Sequence, residues 1–295
     1  MKKIKELFKE FNILPNIWKA TKDFFKEDGL DKASVLAYYS IFSTLFILTF
    51  FTFIFARFIG NPEIAYKTIY PFSPDFFSKI SPEFLKKAEQ ISLRLEDFGI
   101  VGLILSIVLG ILIFNKIIQY VNDMFYVKLK KGFLWRRIKE FALLFIVGFL
   151  VMASFAFTGI ISTTTTLFYK NEFIRSHVNS NFIKSLNNVL IKYMVPFLIT
   201  FLLFFIIYKW IPETKVCIRA SLIAALFSTI LWEIIKRSYA YYLVNLSLIG
   251  KIKGPIIAII LFGFWMEFSM GILLHGAKLT YILNKEKNDK TKTSK

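Results

Sequence analysis

The chain has 295 residues, 56% of them hydrophobic, a mean hydropathy of +0.56, and 38 Lys and Arg against 20 Asp and Glu, a net charge of +18. Soluble domains are usually only about 45–50% apolar, so this composition excludes an ordinary soluble nucleic-acid binder, a disordered chain, a coiled coil and collagen. A single cysteine, Cys217, excludes an internal disulfide framework. Apolar and basic residues separate into blocks, which points to a membrane protein with basic loops.

The first element is an amphipathic segment over 1–33. Ile4, Leu7, Phe8, Phe11, Leu14 and Trp18 recur at three- and four-residue spacing, with lysines between them. That pattern predicts a helix with one apolar side. Such a helix either lies in the lipid headgroup layer or packs against the end of a helix bundle. Pro15 is expected to kink or split it. No secretory leader is expected there, because no apolar core precedes a small-residue cleavage site.

Six stretches follow that are apolar enough to cross a hydrocarbon layer about 30 Å thick, which takes about 20 helical residues. They cover 34–59, 98–121, 141–161, 189–208, 220–240 and 255–281. In the long loop after the first, Ser81-Pro82-Glu83 reads as a helix start. Phe84, Ala88, Ile91, Leu95 and Phe98 then form one stripe, predicting an external amphipathic helix. Residues 282–295 are expected to be a basic, disordered tail. The segments 1–33, 122–140, 209–219 and 282–295 carry 22 Lys and Arg in 77 residues; the alternate loops carry 10 in 79. Positive charge collects on the cytoplasmic side, so both termini are expected there.

Within the spans, Gly102, Ser106 and Gly110 and, further on, Ala220, Ala224 and Ser228 lie at four-residue intervals. Small residues so spaced let helix backbones approach in lipid. Charges at membrane depth are more informative, since each costs about 2.5–3.5 kcal/mol on insertion scales unless it is paired or wetted. Glu267 lies 12 residues into the last span, on a stripe with Gly263, Gly271, His275 and Lys278. Glu267 is expected to line a cavity, with Lys116 or His275 as its reachable partner. Glu233 followed by Lys236 and Arg237 reads as a helix-face ion pair, or as part of the same polar path. Lys278 is expected to anchor at the interface.

A catalytic set does not emerge. His177 and His275 belong to no metal-ligand spacing, and no glycine-rich phosphate loop is present. The predicted inner loops offer only Asp123, Glu140 and Glu213 as acids before the tail, too few for a metal-assisted nuclease. No enzyme activity and no cofactor are expected.

Several stretches carry a family resemblance. Ala33-Ser34-Val35-Leu36-Ala37-Tyr38-Tyr39, Asn122-Asp123-Met124-Phe125, Trp210-Ile211-Pro212-Glu213-Thr214-Lys215-Val216 with Arg219, Leu231-Trp232-Glu233 with Tyr239 to Tyr242, and Gly254 with Leu261 to Trp265 and Gly276-Ala277 occur in order. In that order and spacing the chain resembles the YihY/BrkB family of bacterial inner-membrane proteins over most of its length. The sequence departs from the family pattern at Leu45-Phe46, where a proline is usual, and at Lys278, where the family has an acid. The resemblance implies a polytopic membrane protein of the plasma membrane. It also brings a ribonuclease label, which the scarcity of acids argues against.

The expected fold is therefore all-α, a bundle of six transmembrane helices with N-terminal and external amphipathic helices. The expected function is transport or flipping of an amphipathic, anionic, lipid-like substrate through a cavity bounded by the second, fifth and last spans. Glu267, His275, Lys116, Glu233, Lys236 and Arg237 are the candidate path, membrane lipids are the expected partners, and nucleic acid is not. The rival reading is an envelope assembly or scaffold protein whose polar residues only hold the bundle together.

Overall fold

The computed structural model describes residues 12–41, 43, 99–128, 132, 134–150, 194–241 and 255–293. Residues Ile4 to Phe11, Leu45-Phe46, the external helix expected after Ser81, His177 and the remaining parts of the expected spans lie outside them.

Every regular element among the described residues is helical: α1 (Ile13–Lys26), α2 (29–41), α3 (Gly99–Met124), α4 (134–150), α5 (Val195–Trp210), α6 (Ile218–Tyr241) and α7 (Pro255–Thr293). Two helical stretches, Ile218–Tyr239 and Ile260–Asp289, are long and apolar enough to cross a bilayer, and α5 is apolar but shorter. The structure thus gives an all-helical chain with two clear spans among the described residues, a coarser result than the six expected.

Local chemistry sets the helix ends. Pro15 falls in the first turn of α1, where its missing N–H costs nothing; the residues before 12, on which the expected kink or split turns, lie outside the described ones. Asp28, at φ 56°, turns the chain from α1 into α2, and Gly29 follows because a Cβ there would lie 2.4 Å from the Phe24 ring. After α3, Tyr126 takes φ 55° while the N–H groups of Phe125 and Val127 both donate to the Asn122 carbonyl at 3.0 Å. Pro196 opens α5 and Pro255 opens α7.

Helix α6 packs against both α5 and α7, α1 lies along α7, and α7 also meets α3. The buried face of α6 is made of small residues, Ala220, Ser221, Ala224, Ala225, Ser228 and Thr229, while Leu222, Leu226, Ile230 and Ile234 face outward. In α7, Ile260, Phe264 and Phe268 do the same. Large apolar side chains outside and small ones inside suit a lipid surround, where close backbone packing rather than water exclusion joins helices. The last helix does not stop near Tyr281. It continues to Thr293, and Ile282, Leu283 and Asn284 are buried, so the expected disordered tail is helical as far as 293. An apolar face remains on it after the span, and the rest of the bundle's end covers that face.

Candidate functional site

Among the described residues, the charged residues expected at membrane depth fall into distinct groups. Glu233 accepts from Lys236 one turn on, and Arg237 Nε lies 3.8 Å from its other oxygen. This is the helix-face ion pair that the spacing predicts.

Glu267 is different. On α7 it sits about 18 Å along the axis from Pro255, at 1.5 Å per residue. Its Oε1 accepts a hydrogen bond from Ser34 Oγ of α2 at 2.5 Å. No cation lies within ion-pairing distance of it among the described residues. His275, two turns on, receives or donates through Nε2 to Thr21 Oγ1 of α1 at 2.9 Å. Its ring is enclosed by Phe24 and Phe227, at 5.8 and 5.6 Å between centroids, and its Nδ1 is buried without a hydrogen-bond partner among the described residues. Lys116 donates to Gln119 at 3.3 Å and lies 5.8 and 5.9 Å from the ring centres of Tyr39 and Tyr120. These are cation–π distances. Glu267, His275 and Lys116 therefore have separate partners, and none is hydrogen-bonded to another. All three touch the N-terminal hairpin α1–α2, Glu267 through Ser34, His275 through Thr21 and Lys116 through the Tyr39 ring.

Lys278 corrects the interface-anchor expectation. It is fully buried, with Nζ 2.6 Å from each Glu27 carboxylate oxygen and 3.9 Å above the Tyr126 ring. Tyr126 in turn donates its hydroxyl to Glu27. Burial first, then the bond to Glu27 and its charge, raises the Tyr126 hydroxyl above the ordinary phenol range. The ammonium stays because a carboxylate and two aromatic faces replace water around it.

A second polar cluster surrounds the 211–217 turn, a stretch the sequence marks only through the family pattern. Asn122 donates to Ile118 O at 2.8 Å and accepts from the Glu213 N–H at 2.8 Å. Lys139 donates to Ile211 O at 3.1 Å and lies 3.9 Å from Glu213. Asn284 accepts from the Cys217 N–H at 2.8 Å and donates to Lys215 O at 3.1 Å. Fully buried Glu140 is held by Asn115 at 2.5 Å and Arg137 at 2.6 Å. Burial alone would raise the Cys217 thiol. Hydrogen bonds from Lys287 at 3.0 Å and from the Ala220 and Arg219 N–H groups outweigh it and hold the thiol below its ordinary value. Further into the bundle, Tyr208 shares a 2.9 Å hydrogen bond with Ser228 and donates to Leu273 O at 3.1 Å.

Comparison with known proteins agrees with the architecture. The family model described as virulence factor BrkB matches residues 20–295. Among similar proteins are a UPF0761 membrane protein of Acinetobacter baylyi, 22% identical over 89% of this chain and 60% of its own length. Another, of Pseudoalteromonas atlantica, is 22% identical over 88% of this chain and 82% of its own length. A third, of Janthinobacterium, is 26% identical over 83% of this chain and 51% of its own. The chain thus spans from half to four-fifths of the length of these relatives. No solved structure matches it.

Proposed function

The chain belongs to the virulence factor BrkB family and is an integral membrane protein, and from that premise we propose that it carries an amphipathic, anionic, lipid-like molecule across the plasma membrane, with both termini in the cytoplasm. The observation behind this reading is Glu267. A carboxylate deep in an apolar helix, held by one serine hydroxyl and by no cation among the described residues, is costly unless a proton, a substrate group or water meets it. Its place between α2 and α7 makes that seam the polar step of the path. The basic segments at the bundle's end concentrate anionic headgroups there. His275 and Lys116 border the path through their own partners, and Glu233, Lys236 and Arg237 brace α6.

Purified protein in proteoliposomes tests this reading. Labelled phosphatidylglycerol is expected to cross faster than in empty vesicles, and Glu267→Gln to remove most of the gain. Glu233→Gln, which touches only a helix-face pair, is expected to remove far less. Transport unchanged by Glu267→Gln overturns the role of that carboxylate. No transport by the wild-type chain favours the rival reading, a non-transporting assembly protein, to which the Lys278–Glu27 and Glu233–Arg237 pairs lend support.

A further inference from the structure

We propose that α1 is an interfacial strap that binds the anionic headgroup layer while remaining docked on the bundle, using both of its apolar faces at once. At 100° per residue, Ile13, Ile17, Ala20 and Phe24 form one arc. Ala20 and Phe24 are buried, and Ile13 and Ile17 pack on the same core. The docking is reinforced by Asn16, which donates to Glu286 at 2.5 Å, and by the Thr21–His275 contact. The next arc, Leu14, Phe25 and Trp18, packs on no other helix among the described residues: Leu14 is 81% exposed, Trp18 73% and Phe25 59%. Beyond it come Lys22, Lys26 and Lys19, all exposed.

The order around the helix identifies the occupant. A second protein surface would be served by any apolar arc. A buried arc, an exposed aromatic arc and a row of lysines in that sequence match the depth profile of one monolayer edge, with rings at headgroup level and ammonium groups at the phosphates. The helix on which the strap is docked also presents the large apolar side chains Ile260, Phe264 and Phe268 outward. The partner is thus the lipid layer itself. The inference is independent of transport, and it requires only that the bundle sit in a membrane.

The test uses the full chain in nanodiscs carrying either brominated phosphatidylglycerol or brominated phosphatidylcholine. The difference in tryptophan quenching between wild type and Trp18→Phe isolates Trp18 from the other four tryptophans. Trp18 is expected to be quenched by shallow bromines and more strongly by the anionic lipid. Replacing Lys19, Lys22 and Lys26 with Gln is expected to reduce that anionic preference, by up to about fivefold per lysine. Raising salt from about 0.1 M to about 1 M on the unmodified chain should weaken the same preference without any mutation. Quenching of Trp18 by aqueous iodide but not by either brominated lipid overturns the proposal. So does efficient cross-linking between copies through Leu14→Cys in a Cys217→Ser background, which would put a second chain on this face.

Discussion

Gly276 of α7 faces Tyr208 of α5 and Ser228 of α6, and a hydrogen is all that this packing admits there. A Cβ there would fall 2.1 Å from both Ser228 Oγ and Tyr208 Oη, far closer than non-bonded atoms can approach. These two hydroxyls also bond each other at 2.9 Å, and Tyr208 donates to the Leu273 carbonyl one turn before Gly276. A methyl would therefore separate helices and break a buried hydrogen bond together. Gly276→Ala is expected to cost about 3 kcal/mol, the upper part of the overpacking range, read as unfolding in detergent. In a Tyr208→Phe background, which removes one obstructing oxygen but keeps the ring carbon at 2.6 Å and Ser228 Oγ at 2.1 Å, the same change should cost somewhat less, as expected for residues in contact. Additive costs would mean that Ser228 and the aromatic ring, not the Tyr208 hydroxyl, set the clash.

At the scale of elements, the α1–α2 hairpin is fastened to α7 chiefly through Glu27 and Lys278. Breaking a buried pair leaves the survivor without a counter-charge, typically at about 3–5 kcal/mol. Glu27→Gln is thus expected to destabilise strongly and to loosen the hairpin, read as faster proteolysis between α1 and α2. The double change Glu27→Gln with Lys278→Met should recover much of the loss. A double variant no more stable than the single one would assign the fastening to Asn16–Glu286 and Thr21–His275 instead. The same elements mark what the sequence reveals. Glu233 with Lys236 and Arg237 is legible because three- and four-residue spacing decides contact within one helix. The small face of α6 is legible for the same reason. The partners of Glu267 and Lys278 are not: Ser34 lies 233 residues from Glu267, and Glu27 lies 251 residues from Lys278. No periodicity spans such separations, and depth alone favoured Lys116 or His275, which tertiary packing gives to other partners. The helical extension to Thr293 is hidden because Asn284 and the lysines around it read as polar tail until the 211–217 turn supplies their partners.

For the whole molecule, the geometry of one end bears on how the chain threads the membrane. Contacts there join all four basic segments: Asn16 to Glu286, Tyr126 through Glu27 to Lys278, Asn122 to Glu213, and Asn284 to Cys217. That gathering of the four basic segments at one end is what the proposed placement of both tails in the cytoplasm requires. Cys217, the sole cysteine, offers a native probe of this. It is half-buried within that end, and Lys287 favours its thiolate, the form that reacts with maleimides. A membrane-impermeant maleimide is expected to label it in inverted vesicles and not in intact cells. Lys287→Gln should slow the labelling at neutral pH without changing the side from which it occurs, because the thiol then returns toward its ordinary value and less thiolate is present. Labelling from outside intact cells would place this end beyond the membrane and reverse the orientation. Equal labelling rates with and without Lys287 would mean that the C-terminal extension of α7 does not reach the turn.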